Sequence, residues 1–160
     1  MLCYTEKQLL LAKKVQHKPN LLFIDATGSL TRKWNNKVTF FYAGVLSTAF
    51  PKKPCLPVFE LLSNDQSGNS LAQMLYSWKL EAEKNQLKPD IICVDFSWAL
   101  IYAVFKSFNG INIEEGLNRQ WEFLNGNTCD SFTVVRLCVS HFIKSSINRL
   151  YKMNISKRVI

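Results

Sequence analysis

Two aspartates, Asp25 and Asp95, each close an apolar run: Leu21-Leu22-Phe23-Ile24-Asp25 and Asp90-Ile91-Ile92-Cys93-Val94-Asp95. Carboxylates are the oxygen donors that hard divalent cations take, and a residue at the end of a strand projects into the crevice where open α/β sheets carry out their chemistry. The pair therefore reads as two ligands of a Mg²⁺ or Mn²⁺ site. Taken singly, Asp25 has a simpler role as a turn residue bonded to the backbone around Thr27 and Gly28, and Asp95 as a helix cap or first-turn acid before Ser97. Asp25-Ala26-Thr27-Gly28 is not the Asp-Thr-Gly of aspartic proteases, because Ala26 intervenes and the motif occurs once.

Cys138-Val139-Ser140-His141 is the second group able to bind a ligand. A closed zinc site needs four ligands. Only Cys129 and His17 could complete one, so no zinc is expected; on residue type alone Cys138 is a buried strand thiol and His141 caps the strand end. Five cysteines at irregular spacing indicate free thiols, not a disulfide framework.

The elements that must hold these residues follow from periodicity. Residues 5–16 have apolar positions on one face and form a lead-in helix ended by Lys18-Pro19. A strand then runs to Asp25, a second covers Val38 to Leu46, and the polar link Thr31 to Lys37 makes the two a hairpin. Prolines 51, 54 and 57 mark a loop before a third strand, Val58–Leu62. Ser70 with Gln73 reads as a capping box opening a helix with Leu71, Met74, Leu75, Trp78 and Ala82 on one face. The fourth strand ends at Asp95. Ser97 opens a helix that is apolar around most of its girth, stopped at Asn109-Gly110. Residues 111–130 show no clear pattern, Phe132–Val139 is a fifth strand, and Phe142–Tyr151 is a basic helix.

Three strands followed by alternating helices and strands predict an α/β fold: a ribonuclease H-like five-stranded mixed sheet flanked by helices. One domain is expected over 1–160, with 1–19 the lead-in helix, 20–152 the core and 153–160 a basic tail. No apolar stretch is long enough to cross a membrane and the N-terminus lacks a signal-peptide pattern, so an intracellular location is expected.

The net charge of +8 is unevenly spread: nine Lys/Arg against two acids in 1–58, five against ten in 59–130, and six against none in 131–160. Basic ends around an acidic centre suit a protein that holds a cation beside a phosphate backbone. The candidate nucleic-acid contacts are Arg32, Lys33, Trp34 and Lys37 in the hairpin link, and Lys144 and Arg149 on the last helix. Trp78 and Trp98 read as core side chains.

Phe23-Ile24-Asp25-Ala26-Thr27-Gly28, Pro57-Val58-Phe59-Glu60-Leu61-Leu62-Ser63, Val94-Asp95-Phe96-Ser97 and Cys138-Val139-Ser140-His141, in this order and spacing over most of residues 20–145, resemble the DDE transposases of the Mutator-like and related classes. That resemblance implies a catalytic core in which three acids hold two divalent ions for DNA cleavage and strand transfer. With Cys138 and His141 lining the site, Asp25 and Asp95 would be two of the three. The third, a Glu on a helix after a long helical insertion in that group, has no counterpart among residues 142–150. The resemblance further implies DNA as partner, a nuclear location, and a protein partner or second copy. Two other roles fit the same residues: a domesticated module that binds DNA or protein without catalysis, and a relic of a nuclease.

Overall fold

The computed structural model describes residues 1–27, 38–48, 55–127 and 132–152. Its elements are β1 (Leu2–Cys3), α1 (Glu6–Val15), β2 (Leu21–Thr27), β3 (Phe40–Ser47), β4 (Cys55–Ser63), α2 (Gly68–Lys84), β5 (Ile91–Val94), α3 (Trp98–Val104) running into a π-helical turn (Phe105–Asn109), α4 (Ile113–Leu124), β6 (Val134–Leu137) and α5 (Val139–Lys152). The strands form one mixed sheet in the order β1-β4-β3-β2-β5-β6. β1 to β4 pair antiparallel, and β2, β5 and β6 run parallel.

Six strands stand where five are expected. The extra one, β1, comprises two residues pairing Leu2 with Leu61 and Cys3 with Glu60, and the Met1 ammonium donates to the Leu62 carbonyl at 2.6 Å. So short a segment has no alternation to read, and it precedes the lead-in helix. The helix itself is closed by a reciprocal cap: Thr5 Oγ1 accepts from the Gln8 N–H at 3.2 Å, and Gln8 Oε1 accepts from the Thr5 N–H at 2.7 Å. The cap of α2 is Ser67, not Ser70, with Ser67 Oγ accepting from the Ser70 N–H. The third strand reaches back to Cys55, and the last helix begins at Val139.

Residues 113–124, unassigned from sequence, are helix α4. Asn112 caps it by accepting from the Glu115 N–H at 2.9 Å, and Glu114 and Glu115 occupy its positive first turn. Its apolar residues Ile113, Leu117, Trp121 and Leu124 recur at helical spacing, but Gly116 and Asn118 among them are poor helix formers; Leu117, Trp121 and Leu124 stay exposed. Gly116 is required by packing: a Cβ there would stand 2.5 Å from Phe105 Cδ1.

One hydrophobic cluster joins Leu22 and Ile24 of β2, Tyr42 and Leu46 of β3, Phe59 and Leu61 of β4, and Ile92 and Val94 of β5 to α1, α2 and α3. Trp78 lies in it as expected. Trp98 does not: it is 62% exposed at the first position of α3, where it meets Phe96 edge-on at 5.7 Å. Among the described residues no helix is long and apolar enough to cross a membrane.

Candidate functional site

The parallel strands bring the chemistry to one end of the sheet. β2 and β5 are paired from Leu21↔Ile91 to Ile24↔Val94, so Asp25 and Asp95 are the next residues along two neighbouring strands. Adjacent strands lie about 4.8 Å apart, which puts two carboxylate stems within reach of one cation. Asp95 stands one residue past the end of its strand, which closes at Val94. β5 and β6 are likewise paired up to Val94↔Leu137, the Cys138 N–H donates to the Val94 carbonyl at 2.7 Å, and α5 begins at the following residue. His141, in the first turn of α5, thereby reaches the acids. Its Nε2 lies 3.7 Å from Asp25 Oδ1.

Ser97, not Asp95, caps α3, its Oγ accepting from the Leu100 N–H at 3.4 Å. Among the described residues Asp25 Oδ1 accepts from the adjacent Ala26 N–H at 2.9 Å, a bond within the strand; Gly28, part of the turn role suggested for Asp25, is outside the described residues. Asp95 Oδ1 and His141 Nδ1 are both shielded from solvent and have no hydrogen-bond partner among the described residues.

Such orphaned groups are costly and collect at functional sites. Burial pushes the Asp95 carboxyl above its ordinary range; His141 pulls it back and the Asp25 charge adds to the rise. The Tyr42 hydroxyl is raised by burial and then by the charge of Asp95, so β3 also contributes a polar group to this neighbourhood. The Cys93 thiol, next to the site on β5, is raised chiefly by burial, with the neighbouring Cys138 thiol adding to the rise.

The raised carboxyl has a measurable consequence. An aspartate whose folded value lies above its unfolded value of about 3.9 is neutral more readily in the native state, so folding loses stability as pH rises from the unfolded value through the folded one. Above that window the loss is complete. Asp95→Asn removes it, and with chelator present is expected to stabilise the protein at pH 7 by about 1 kcal/mol, or roughly 2–4 °C in melting temperature. The gain should fade below the ordinary carboxylate range, where Asp95 is protonated in both states. A melting temperature at pH 7 equal to or below that of the parent protein would refute the burial cost.

Lys144 and Arg149 lie on the same face of α5 as His141, and with Ser145 and Asn148 they line a shallow groove of about 400 Å³. Spacings of three, four, seven and eight residues from His141 put all five on one stripe of the helix. Ser145, Asn148, Tyr42 and Cys93 were not singled out from sequence as site residues, and only tertiary proximity reveals them. Arg32, Lys33, Trp34 and Lys37 are outside the described residues, as are Cys129 and the tail 153–160.

A groove of about 950 Å³ lies between α3, α4 and β6 and is walled by Phe96, Trp98, Leu117, Phe123, Leu124 and Leu137. It is apolar and does not include Asp25, Asp95 or His141, so it is not where a hard cation would be held. Among the described residues, no three His, Cys, Asp or Glu side chains are gathered tightly enough, as they stand, to hold a metal ion. No family model, curated protein or solved structure matches this chain.

Proposed function

We propose that the chain is a transposase-derived, ribonuclease H-like domain, related to enzymes of metal-dependent DNA cleavage and strand transfer, which retains two of the three acids. The observation that carries this reading is the position of Asp25 and Asp95 at the same ends of neighbouring parallel strands. The sheet order supports it. Counted from Leu21–Thr27, the strands lie third, second, first, fourth, fifth across the sheet, with the acids on or just beyond the first and fourth. DNA as partner would make the nucleus the place of action.

The donors fit a divalent cation in kind. Asp95 offers a shielded, unpartnered oxygen, and Asp25 an exposed carboxylate beside it. A bound Mg²⁺ or Mn²⁺ would supply charge to activate an attacking hydroxyl and stabilise a leaving oxygen. Asp25 and Asp95 would hold it at the strand ends. Lys144 and Arg149 would draw a phosphate backbone along α5 towards the acids, with salt-sensitive attraction from counterion release. Described α5 carries no carboxylate, so among the described residues the acids at the site number two.

The test is a titration with manganese followed by water-proton relaxation, comparing the protein with an Asp25→Asn/Asp95→Asn double variant. Affinity should fall at least about tenfold in the variant, because the fixed negative charge of a site sets its hold on hard cations. Equal binding in both proteins would overturn the cation pair. The basic face of α5 favours a second reading, a DNA-binding module without catalysis. Under that reading duplex DNA binds both proteins equally, with an affinity that falls steeply with salt.

A further inference from the structure

We propose that His141 is the third donor of this site, so that the domain carries an Asp-Asp-His cation centre that prefers Mn²⁺ to Mg²⁺. The inference rests on the reading of Asp25 and Asp95 as a cation pair and extends it to the missing ligand. Three parallel strands deliver one donor each: Asp25 on β2, Asp95 after β5, and His141 one helical turn after β6. The group that stands where a third acid is absent is an imidazole.

An ordinary surface ion pair does not explain His141. Its Nε2 is 3.7 Å from Asp25 Oδ1, too long for a hydrogen bond, and the two side chains are 41% and 57% exposed. A pair so exposed contributes little to stability. The shielded and unpartnered Nδ1 on the other side of the ring, with the equally orphaned Asp95 oxygen, has no role in such a pair. A cation held by Nε2, Asp25 Oδ1 and the orphaned Asp95 oxygen gives that oxygen its partner and leaves Nδ1 outside the coordination. Two donors about 2.1 Å from a shared ion lie about 3.0 Å apart at a right angle and about 3.4 Å apart at a tetrahedral angle. The observed 3.7 Å is slightly wider than those spans. Binding must draw the three side chains inward, because they are not gathered tightly enough as they stand. Cys138 is the poorer candidate for the third position, since a thiolate suits softer cations than the two carboxylates do.

Donor type then sets selectivity. Mg²⁺ demands oxygen at near-octahedral geometry, whereas Mn²⁺ accepts carboxylate and imidazole together. The chain has two histidines, and His17 lies in the segment between α1 and β2, before the start of the strand that carries Asp25 towards its other end.

Pulsed electron paramagnetic resonance on the Mn²⁺-loaded full chain reads the ligand directly. The parent protein and a His17→Ala variant should both show ¹⁴N modulation from a coordinated imidazole, lost in His141→Ala together with at least about tenfold in Mn²⁺ affinity. Should His141→Ala fold poorly, parent protein made with ¹⁵N-imidazole histidine answers the same question, because the modulation must change to the ¹⁵N pattern. Mg²⁺ should displace Mn²⁺ only at about tenfold or greater excess. Mn²⁺ bound through Asp25 and Asp95 with no imidazole nitrogen coupling overturns the histidine ligand and leaves the aspartate pair standing. Absence of any bound Mn²⁺ overturns both.

Discussion

Trp78→Ala is expected to cost about 3–5 kcal/mol of stability, the range for removing a fully buried large aromatic side chain. Trp78 is 0% exposed. Its ring lies 4.9 Å from that of Phe59 on β4 and 6.3 Å from that of Phe108 in the π-helical turn, and its Nε1–H donates to the Val58 carbonyl at 3.3 Å. One side chain therefore joins the antiparallel half of the sheet to the helix that follows Asp95. The effect reaches further than the cavity. Asn109, next to Phe108, donates through Nδ2 to the Thr133 carbonyl at 3.0 Å and accepts the Thr133 N–H at 2.9 Å, which sets the start of β6 and, through it, α5. Urea unfolding should display the loss as a lower midpoint with the slope retained. Trp78→Phe, which keeps an aromatic ring but surrenders the hydrogen bond, should lose substantially less. A loss below about 1 kcal/mol for the alanine variant would mean that the site collapses freely and does not tie the two halves together.

How far these features can be read from sequence depends on whether the determining interaction is local. β2 and β5 are legible because Leu21 to Asp25 and Ile91 to Asp95 are apolar runs ended by a charge, and α2 because Leu71, Leu75, Trp78 and Ala82 share one buried face. Gly110 ends the helix after Asp95 as expected, with φ at +73°, the left-handed conformation that glycine adopts without strain. Helix α4 has apolar residues at helical spacing, Ile113, Leu117, Trp121 and Leu124, but Gly116, Asn118 and the polar residues around them obscure that pattern. β1 is hidden because two residues have no period. Trp98 deceives in the opposite sense: an apolar neighbourhood in sequence does not reveal which side of the helix faces water.

The acids were found for a local reason, since a strand end is visible in sequence. Cys138 and His141 can be named from their motif, but their approach to the acids cannot. The contact of His141 with Asp25 arises because β6 lies beside β5 and β5 beside β2, a relation between segments separated by more than forty residues. The same holds for Tyr42, which interacts electrostatically with Asp95 from the antiparallel side of the sheet, and for the Cys93 and Cys138 thiols. Ligand types can be named from sequence, but their completeness as a set is a property of strand order.

Gly44→Ala is expected to destabilise by about 1–3 kcal/mol, the usual cost of forcing extra volume into a packed core. The cause is a close approach of side chain to backbone. A Cβ at position 44 would stand 2.1 Å from Phe59 Cε1 and 2.4 Å from Cδ1 and Cζ, a separation real atoms do not tolerate. Phe59 has little freedom to move, because it is 0% exposed and stacked at an angle on Trp78. Gly44 also flanks the register shift between β3 and β4 and pairs with Ile24, the residue before Asp25. The added methyl must therefore displace either the Phe59 ring or the strand that supports the first acid. The two routes are separable. If the ring carries the strain, Phe59→Leu should relieve it, and the double variant Gly44→Ala/Phe59→Leu should be more stable than the sum of the single losses predicts, by about 0.5–3 kcal/mol. If β3 shifts instead, the losses add and Mn²⁺ affinity falls with them, since Asp25 moves with its strand. A neutral Gly44→Ala would contradict the close approach of Phe59 to the β3 backbone.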